Sequence, residues 1–248
     1  MKIISSNADY FLGFDGSFLK YLLYSRRAVR ANANSEIHDM EELKEIVKEE
    51  EPDLVTLQEV DQGSIRTNTE GHIDRFAQEL ERDGIKYQYR VDNKYGPDNL
   101  FSKLPIMKHM SNAVLYRSGE VKDLYFSSGT KQLFHESVID GISVFSVHLP
   151  VLKHTRKKQI RELADVASKR DKVIVCGDFN NYWGIGELEY LQKHAGLEVH
   201  DPGPTNPSHR PSRHLDMFLT SGNLDVNRSK VIESTFSDHR PVMLEVNS

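Results

Sequence analysis

Val173-Ile-Val-Cys-Gly-Asp-Phe-Asn180 runs four apolar residues straight into a glycine, a carboxylate and an amide. A short, uninterrupted apolar run reads as a strand buried on both faces, as in sheets covered by helices. Asp178 and Asn180 then fall at the carboxyl end of that strand, where open α/β sheets leave a crevice. Two other stretches repeat the design. Asp53-Leu-Val-Thr-Leu-Gln-Glu59 carries Glu59 just past a buried strand, and Val144-Phe-Ser-Val-His148 does the same for His148. Three strands that deliver carboxylate, imidazole and amide groups form a constellation.

The flanking sequence alternates strands with helices. Residues 3–6 read as a first strand. Residues 38–50 read as a helix, with Asp39 and Glu42 set as a capping box and Leu43, Ile46 and Val47 on one face. Pro52 and Asp53 break it, and residues 54–57 form a buried strand. Ile73, Phe76, Ala77 and Leu80 mark a second helix that stops near Gly84. Residues 133–139 and 142–147 flank Asp140-Gly141, a two-residue hairpin signal. Ile160, Leu163, Ala164 and Ala167 mark another helix, and Val242, Leu244 and Val246 alternate in a last strand. There is no repeat, low-complexity tract or linker, so residues 1–248 read as one α/β domain with an appreciable antiparallel share.

Composition narrows the class. Hydrophobic residues make up 38% of the 248 residues and charged residues 28%, enough for a sizeable core. The formal net charge of −5 argues against tight nonspecific grip on DNA. Cys176 is the single cysteine, so no intramolecular disulfide forms and no zinc-binding spacing exists. With no apolar leader and no run long enough to span a bilayer, a reducing cytoplasm is the expected location.

Glu59 is a hard oxygen donor of the kind that suits Mg²⁺ or Mn²⁺. A divalent ion beside a phosphate neutralises charge and stabilises the leaving oxygen. Asp178 could orient or deprotonate a water, and Asn180 could donate to a phosphate oxygen. Ser237-Asp238-His239 adds a carboxylate and an imidazole late in the chain. Asp216, in His214-Leu-Asp216, is the candidate partner that would raise the His239 pKa and fix its tautomer.

These motifs resemble those of the endonuclease/exonuclease/phosphatase superfamily, in the family's order and over nearly the whole chain. Asn7 looks like its first-strand Asn, and Leu57-Gln-Glu59-Val like its metal glutamate. Asn99-Leu-Phe-Ser-Lys-Leu-Pro-Ile106 looks like the strand before its SKxPI turn. Ser146-Val-His148-Leu resembles its central His strand, Gly177-Asp178-Phe-Asn180 its GDFN motif, and Leu215-Asp216 and Ser237-Asp238-His239 its closing motifs. The resemblance implies a four-layer α-β-β-α sandwich with two mixed β-sheets. It also implies in-line attack of water on phosphorus. Glu59 and Asn7 would hold the metal, helped by Asp238, and Asp178 would position the water. Asn180 and His148 would contact the phosphate, and His239 would act with Asp216. Asn7-Ala-Asp9 matches an NxD pattern of AP endonucleases, which adds Asp9 to the metal shell.

His148 stands where AP endonucleases generally carry a tyrosine, which disfavours that branch. Arg66, a few residues past Glu59, is set to fork onto a substrate phosphate or to lie on the surface. Thr205-Asn-Pro-Ser resembles the family's TxPS loop at the rim of the site, where His209, Arg210 and Arg213 read as substrate contacts or as a solvated loop. Residues 10–30 join an aromatic, leucine-rich stretch to Arg26, Arg27 and Arg30. They read as a helix packed on the sheet or as a peripheral membrane contact. Lys153, His154, Arg156, Lys157 and Lys158 form a basic run that could steer an anionic substrate. The expectation is a phosphodiesterase or nuclease, with no obligate protein partner. The alternatives are a phosphatase or phospholipase-like hydrolase of a lipid or small phosphoester, and a non-catalytic binding protein on the same fold.

Overall fold

Ile3 and Ile4 are neighbours on the first strand, yet they belong to different cores, because successive side chains of a strand point to opposite faces. The computed structural model describes residues 1–13, 15 and 33–247. Within them, one six-stranded sheet runs β11-β12-β1-β2-β4-β3. Its strands are β1 (Lys2–Asn7), β2 (Leu54–Asp61), β3 (Gln88–Asn93), β4 (Met110–Tyr116), β11 (Val226–Val231) and β12 (Val242–Val246). A second runs β5-β6-β7-β8-β10-β9. It is built from β5 (Glu120–Tyr125), β6 (Leu133–Ile139), β7 (Ile142–His148), β8 (Val173–Asp178), β9 (Leu197–His200) and β10 (Asp216–Ser221).

Three apolar interfaces define four layers. Ile3, Leu54, Val144, Ile174, Cys176 and Leu244 fill the space between the sheets. Ile4, Val55 and Leu57 face helices α1 (Ala33–Glu50) and α2 (His72–Arg82), which contribute Leu43, Val47, Phe76 and Leu80. Val147, Val173 and Val175 face α3 (Lys153–Ala167) and α4 (Glu189–Ala195), which contribute Ile160, Leu163, Ala164 and Leu191. Cover on both faces explains why the central strands read as continuous apolar runs.

Each sheet is mixed in the same way. Its two middle strands, β1 with β2 and β7 with β8, are parallel, and every other pair is antiparallel. The carboxyl ends of the parallel pairs and the amino ends of their antiparallel neighbours therefore share one edge. Register makes this explicit: His148 pairs with Asp178, and Asp178 pairs with Asp216. Asp140 and Gly141 both take positive φ in the β6–β7 hairpin, as its sequence required.

Three expectations need correction. The first helix starts at Ala33, not at residue 38, so Asp39 and Glu42 lie inside it and form no capping box. Glu42 instead accepts hydrogen bonds from the Ser234 hydroxyl (2.6 Å) and the Thr235 N–H (3.1 Å). Residues 99–106 contain no strand: Asn99 caps a 3₁₀ turn over Leu100–Lys103, and the strand begins at Met110. No regular helix starts at Tyr10, because Asp9, Tyr10 and Phe11 form a turn with φ of 39°, 54° and 52°. Tyr10, Phe11 and Leu12 are buried in the fold, and positions 14 and 16–30 of the membrane-contact expectation lie outside the described residues. Among the described residues, no helix is long and apolar enough to cross a membrane.

Candidate active site

Gly177 sets how close the two central strands of the second sheet can come. It has φ +133°, and a Cβ there would lie 1.9 Å from the Val147 carbonyl oxygen. The next residue, Asp178, enters the site from that tight pairing. Its carboxylate accepts from the Asn180 backbone N–H (2.9 Å), the Asn180 amide (2.8 Å) and the Asn7 amide (3.3 Å). His148 Nε2 stands 3.4 Å away. Burial pushes the Asp178 carboxyl up. Its contact with His148 and the charges of His239 and Lys131 more than reverse this, and hold it well below the usual carboxylate range.

Glu59 is delivered differently. A β-bulge falls between Leu57 and Val60 in the pairing of β2 with β4, and Glu59 sits in it with φ 57°. A bulge turns a side chain out of the strand's regular alternation. Asp9 and Asn180 also take positive φ, so unusual backbone gathers at this edge, as functional sites commonly show.

Asp216 and His239 form a buried pair. Asp216 Oδ2 lies 2.7 Å from His239 Nδ1 and also accepts from the Thr205 hydroxyl at 2.6 Å. Burial alone would lower the His239 pKa, but Asp216 and Asp238 outweigh it and raise it well above the ordinary value. The Ser237 hydroxyl donates to the Asn7 carbonyl (2.6 Å), which locks this loop to the end of β1.

Asp9 and Asp238 are half-buried. Burial raises both carboxyls, and neighbouring carboxylates raise them further: Asp238 and Glu59 act on Asp9, Glu59 and Asp178 on Asp238. Such crowding is what a divalent cation relieves, and oxygen donors suit Mg²⁺ or Mn²⁺. Among the described residues, the ligand-type atoms of Asp178, Asp216 and His239 also lie within 4.8 Å of one another, though a metal there would need His239 to give up its proton. Asp216 Oδ1 is buried without a hydrogen-bond partner. The residues present therefore fit a metal-assisted site.

Two of the expected contacts carry constraints. Both amide N–H groups of Asn180 are committed, to Leu149 O (2.9 Å) and to Asp178, so a phosphate contact must displace one of them. Arg66 is buried against Asp61, with Nη2 and Nε at 2.9 and 3.2 Å, and its guanidinium lies over the Tyr10 ring at 4.7 Å. From there it braces the turn that carries Asp9.

Two lysines were not singled out in the sequence. Lys94 lies 2.9 Å from Glu59 Oε1 and also bonds the Tyr10 hydroxyl. Lys131 bonds His148 Nε2 and stands 3.9 Å from Glu59. Burial is the largest influence on Lys131 and lowers its pKa to about 8. Burial and the Lys131 charge lower that of His148 to about 4, so its imidazole is neutral at neutral pH. Burial raises the Glu59 carboxyl, but Lys94, Lys131 and His148 drive it far below the usual range. A lysine in a loop reads as solvated, so only the fold could reveal this pair. Thr205 was legible through its TxPS setting, though its bond to Asp216 was not.

Comparison with known proteins bears on the family and the fold. The model of the endonuclease/exonuclease/phosphatase family matches residues 5–239. A protein of that family from Leptotrichia buccalis superposes with a TM-score of 0.70 at 18% identity, covering 100% of both chains. The mannosyl-6-phosphatase Bt3783 of Bacteroides thetaiotaomicron gives 0.65 at 14% identity, also covering 100% of both chains. D. rerio TDP2, solved with a single-strand DNA product, gives 0.63 at 16% identity, covering 100% of this chain and 99% of its own. A search of curated proteins finds no match.

Proposed function

The chain belongs to the endonuclease/exonuclease/phosphatase family, and from that membership we propose that it is a divalent-metal-dependent phosphodiesterase that directs water onto phosphorus. The observation that carries this reading is the meeting of Asp178 with the Asp216–His239 pair. A carboxylate held ionised lies beside an imidazole held protonated. An ionised carboxylate can hold an attacking water by accepting a hydrogen bond from it, and a protonated imidazole can face a phosphate anion.

Asp178, fixed by Asn180 and Asn7, orients the attacking water and accepts its proton. His239, kept cationic and in one tautomer by Asp216, faces the charge that develops on the phosphoryl oxygens. Lys131, beside His148, supplies a second cation. A Mg²⁺ or Mn²⁺ ion held by Glu59, with Asn7, Asp9 and Asp238, would neutralise phosphate charge and stabilise the leaving oxygen. The phosphatase alternative draws on the likeness to the B. thetaiotaomicron mannosyl-6-phosphatase.

A substrate panel tests the reading: plasmid DNA, single-stranded DNA and RNA, phospholipid, bis(p-nitrophenyl) phosphate and p-nitrophenyl phosphate, each with Mg²⁺ or Mn²⁺ and with chelator. Diester cleavage that the chelator abolishes is expected. Cleavage of monoesters alone would move the assignment to a phosphatase. Diester cleavage indifferent to chelator would overturn the metal dependence.

A further inference from the structure

Tyr182 and Trp183 follow the catalytic loop directly and are 43% and 59% exposed. Large aromatic rings left this open at the rim of a polar site need an explanation. Trp183 opens onto a cavity of about 340 Å³ that Lys153, Lys157, Arg161 and Tyr190 also line. That volume lies at the lower end of the range for small-ligand sites.

The platform is held from beneath. The Arg156 guanidinium lies 5.1 Å from the Trp183 ring centre, and its side chain is fully buried. It donates to the Pro150 and Val151 carbonyls at 2.8 and 2.6 Å and forks onto Glu187 at 2.9–3.2 Å. Pro150 and Val151 follow His148, and Trp183 follows Asn180, so the groove is tied to both catalytic strand ends.

Charge points the same way. The two carboxylates in the lining, Glu187 and Glu189, are paired with Arg156 and Lys193. Lys153, Lys157 and Arg161 have no carboxylate partner among the described residues. Lys153 lies 5.3 Å from the Trp183 ring centre and Arg161 5.7 Å from that of Tyr190. Across the site, Arg213 lies 5.5 Å from the Tyr182 ring. In a chain of net charge −5, this is a local cationic stripe interleaved with aromatic faces.

We infer that the groove binds single-stranded nucleic acid on one side of the scissile phosphate, with a base stacked on Trp183 and the next phosphates on Lys157 and Arg161. Aromatic faces accept any unstacked base, and a cationic track follows the backbone. A duplex keeps its bases stacked on each other and cannot use such a platform. Val151 and Leu152, just before Lys153, are exposed apolar residues that a lipid surface could meet, an occupant the vesicle titration distinguishes. The concave pocket walled by cations favours a base and its phosphates. The inference deepens the phosphodiesterase reading and rests on it.

Trp183 is the only tryptophan of the chain, so its emission reports the groove directly. The full-length Asp178→Asn chain, which should bind without cleaving, is titrated with Mg²⁺ and an oligothymidylate of about ten nucleotides. The same titration uses an abasic oligomer of equal length and phosphatidylserine vesicles. Thymidylate should quench Trp183, and the abasic oligomer should bind more weakly without quenching. By anisotropy of a labelled oligomer, Trp183→Ala should weaken binding about 5- to 150-fold, with partial recovery in Trp183→Phe. Lys157→Ala should flatten the salt dependence of binding. Equal affinity for the abasic oligomer, unchanged binding by Trp183→Ala, or a response to vesicles alone would overturn the inference. Hydrolysis of bis(p-nitrophenyl) phosphate by the wild-type chain is read in parallel. Quenching without that hydrolysis would sink the hydrolase reading and leave the groove standing, and hydrolysis without quenching would do the reverse.

Discussion

A methyl group at position 177 has nowhere to go. Gly177→Ala would drive its Cβ against the Val147 carbonyl on the neighbouring strand, in a backbone conformation that side chains avoid. A loss of roughly 2–4 kcal/mol is expected, read as a melting-temperature drop of about 4–16 °C in a chain of this size. Lys131 makes a different prediction. Removing its cation from beside His148 and Glu59 should raise KM for a diester about tenfold in Lys131→Ala, with recovery in Lys131→Arg. Steady-state kinetics of the three proteins checks this, and an unchanged KM would remove Lys131 from phosphate binding. The contrast between these residues shows how legibility varies. Asp178 was readable because an apolar run ended on it, whereas the close approach at Gly177 was not, because it depends on the Val147 carbonyl of the neighbouring strand. Lys94 and Lys131 were not, because their burial comes from strands that meet only in the folded chain.

Among the elements, α2 begins with a buried histidine. His72 accepts from the Asp61 backbone N–H at 3.1 Å and packs edge-on against Phe11. Burial lowers its pKa from 6.5 to about 4. The unfolded chain therefore takes up a proton that the folded chain refuses. Stability from this group is fully present above pH 6.5 and is lost as pH falls toward 4. The loss amounts to at most about 3 kcal/mol. Denaturant melts across this window should show a steeper decline for the wild type than for His72→Gln, and parallel curves would contradict the assignment. The strands divide by position. Strands β1, β2, β6, β7, β8 and β12, whose apolar faces are covered, were legible in the sequence, whereas β3, β4, β5, β9, β10 and β11 were not. Of these six, β4 and β10 are interior and begin in motif-bearing or loop-like sequence, and the other four are the sheet edges. Gln88–Asn93, Glu120–Tyr125 and Val226–Val231 carry the polar and charged residues that protect an edge from foreign pairing, so periodicity cannot announce them. The start of α1 was displaced for a related reason. An aspartate and a glutamate three apart imitate a cap, while here Glu42 reaches across to the loop before β12.

For the whole molecule, two sheets with parallel centres meet so that one edge collects Asn7, Glu59, His148, Asp178, Asp216 and His239 from six separate places in the chain. A cation held there by Glu59, Asn7, Asp9 and Asp238 would stabilise the fold by mass action. At about 100 times its Kd, Mn²⁺ should add roughly 2.7 kcal/mol and raise the melting temperature by about 5–11 °C. That rise should shrink in Glu59→Ala, and an equal rise would take Glu59 out of the metal site. The central claim is that this edge hydrolyses phosphodiesters with Asp178 as the base. It is tested most directly by the rate of bis(p-nitrophenyl) phosphate hydrolysis in Mn²⁺, measured side by side for the wild type and Asp178→Asn. The account predicts metal-dependent turnover that falls about 10²- to 10⁴-fold in the variant. Turnover by a correctly folded Asp178→Asn chain within about twofold of the wild type would contradict it.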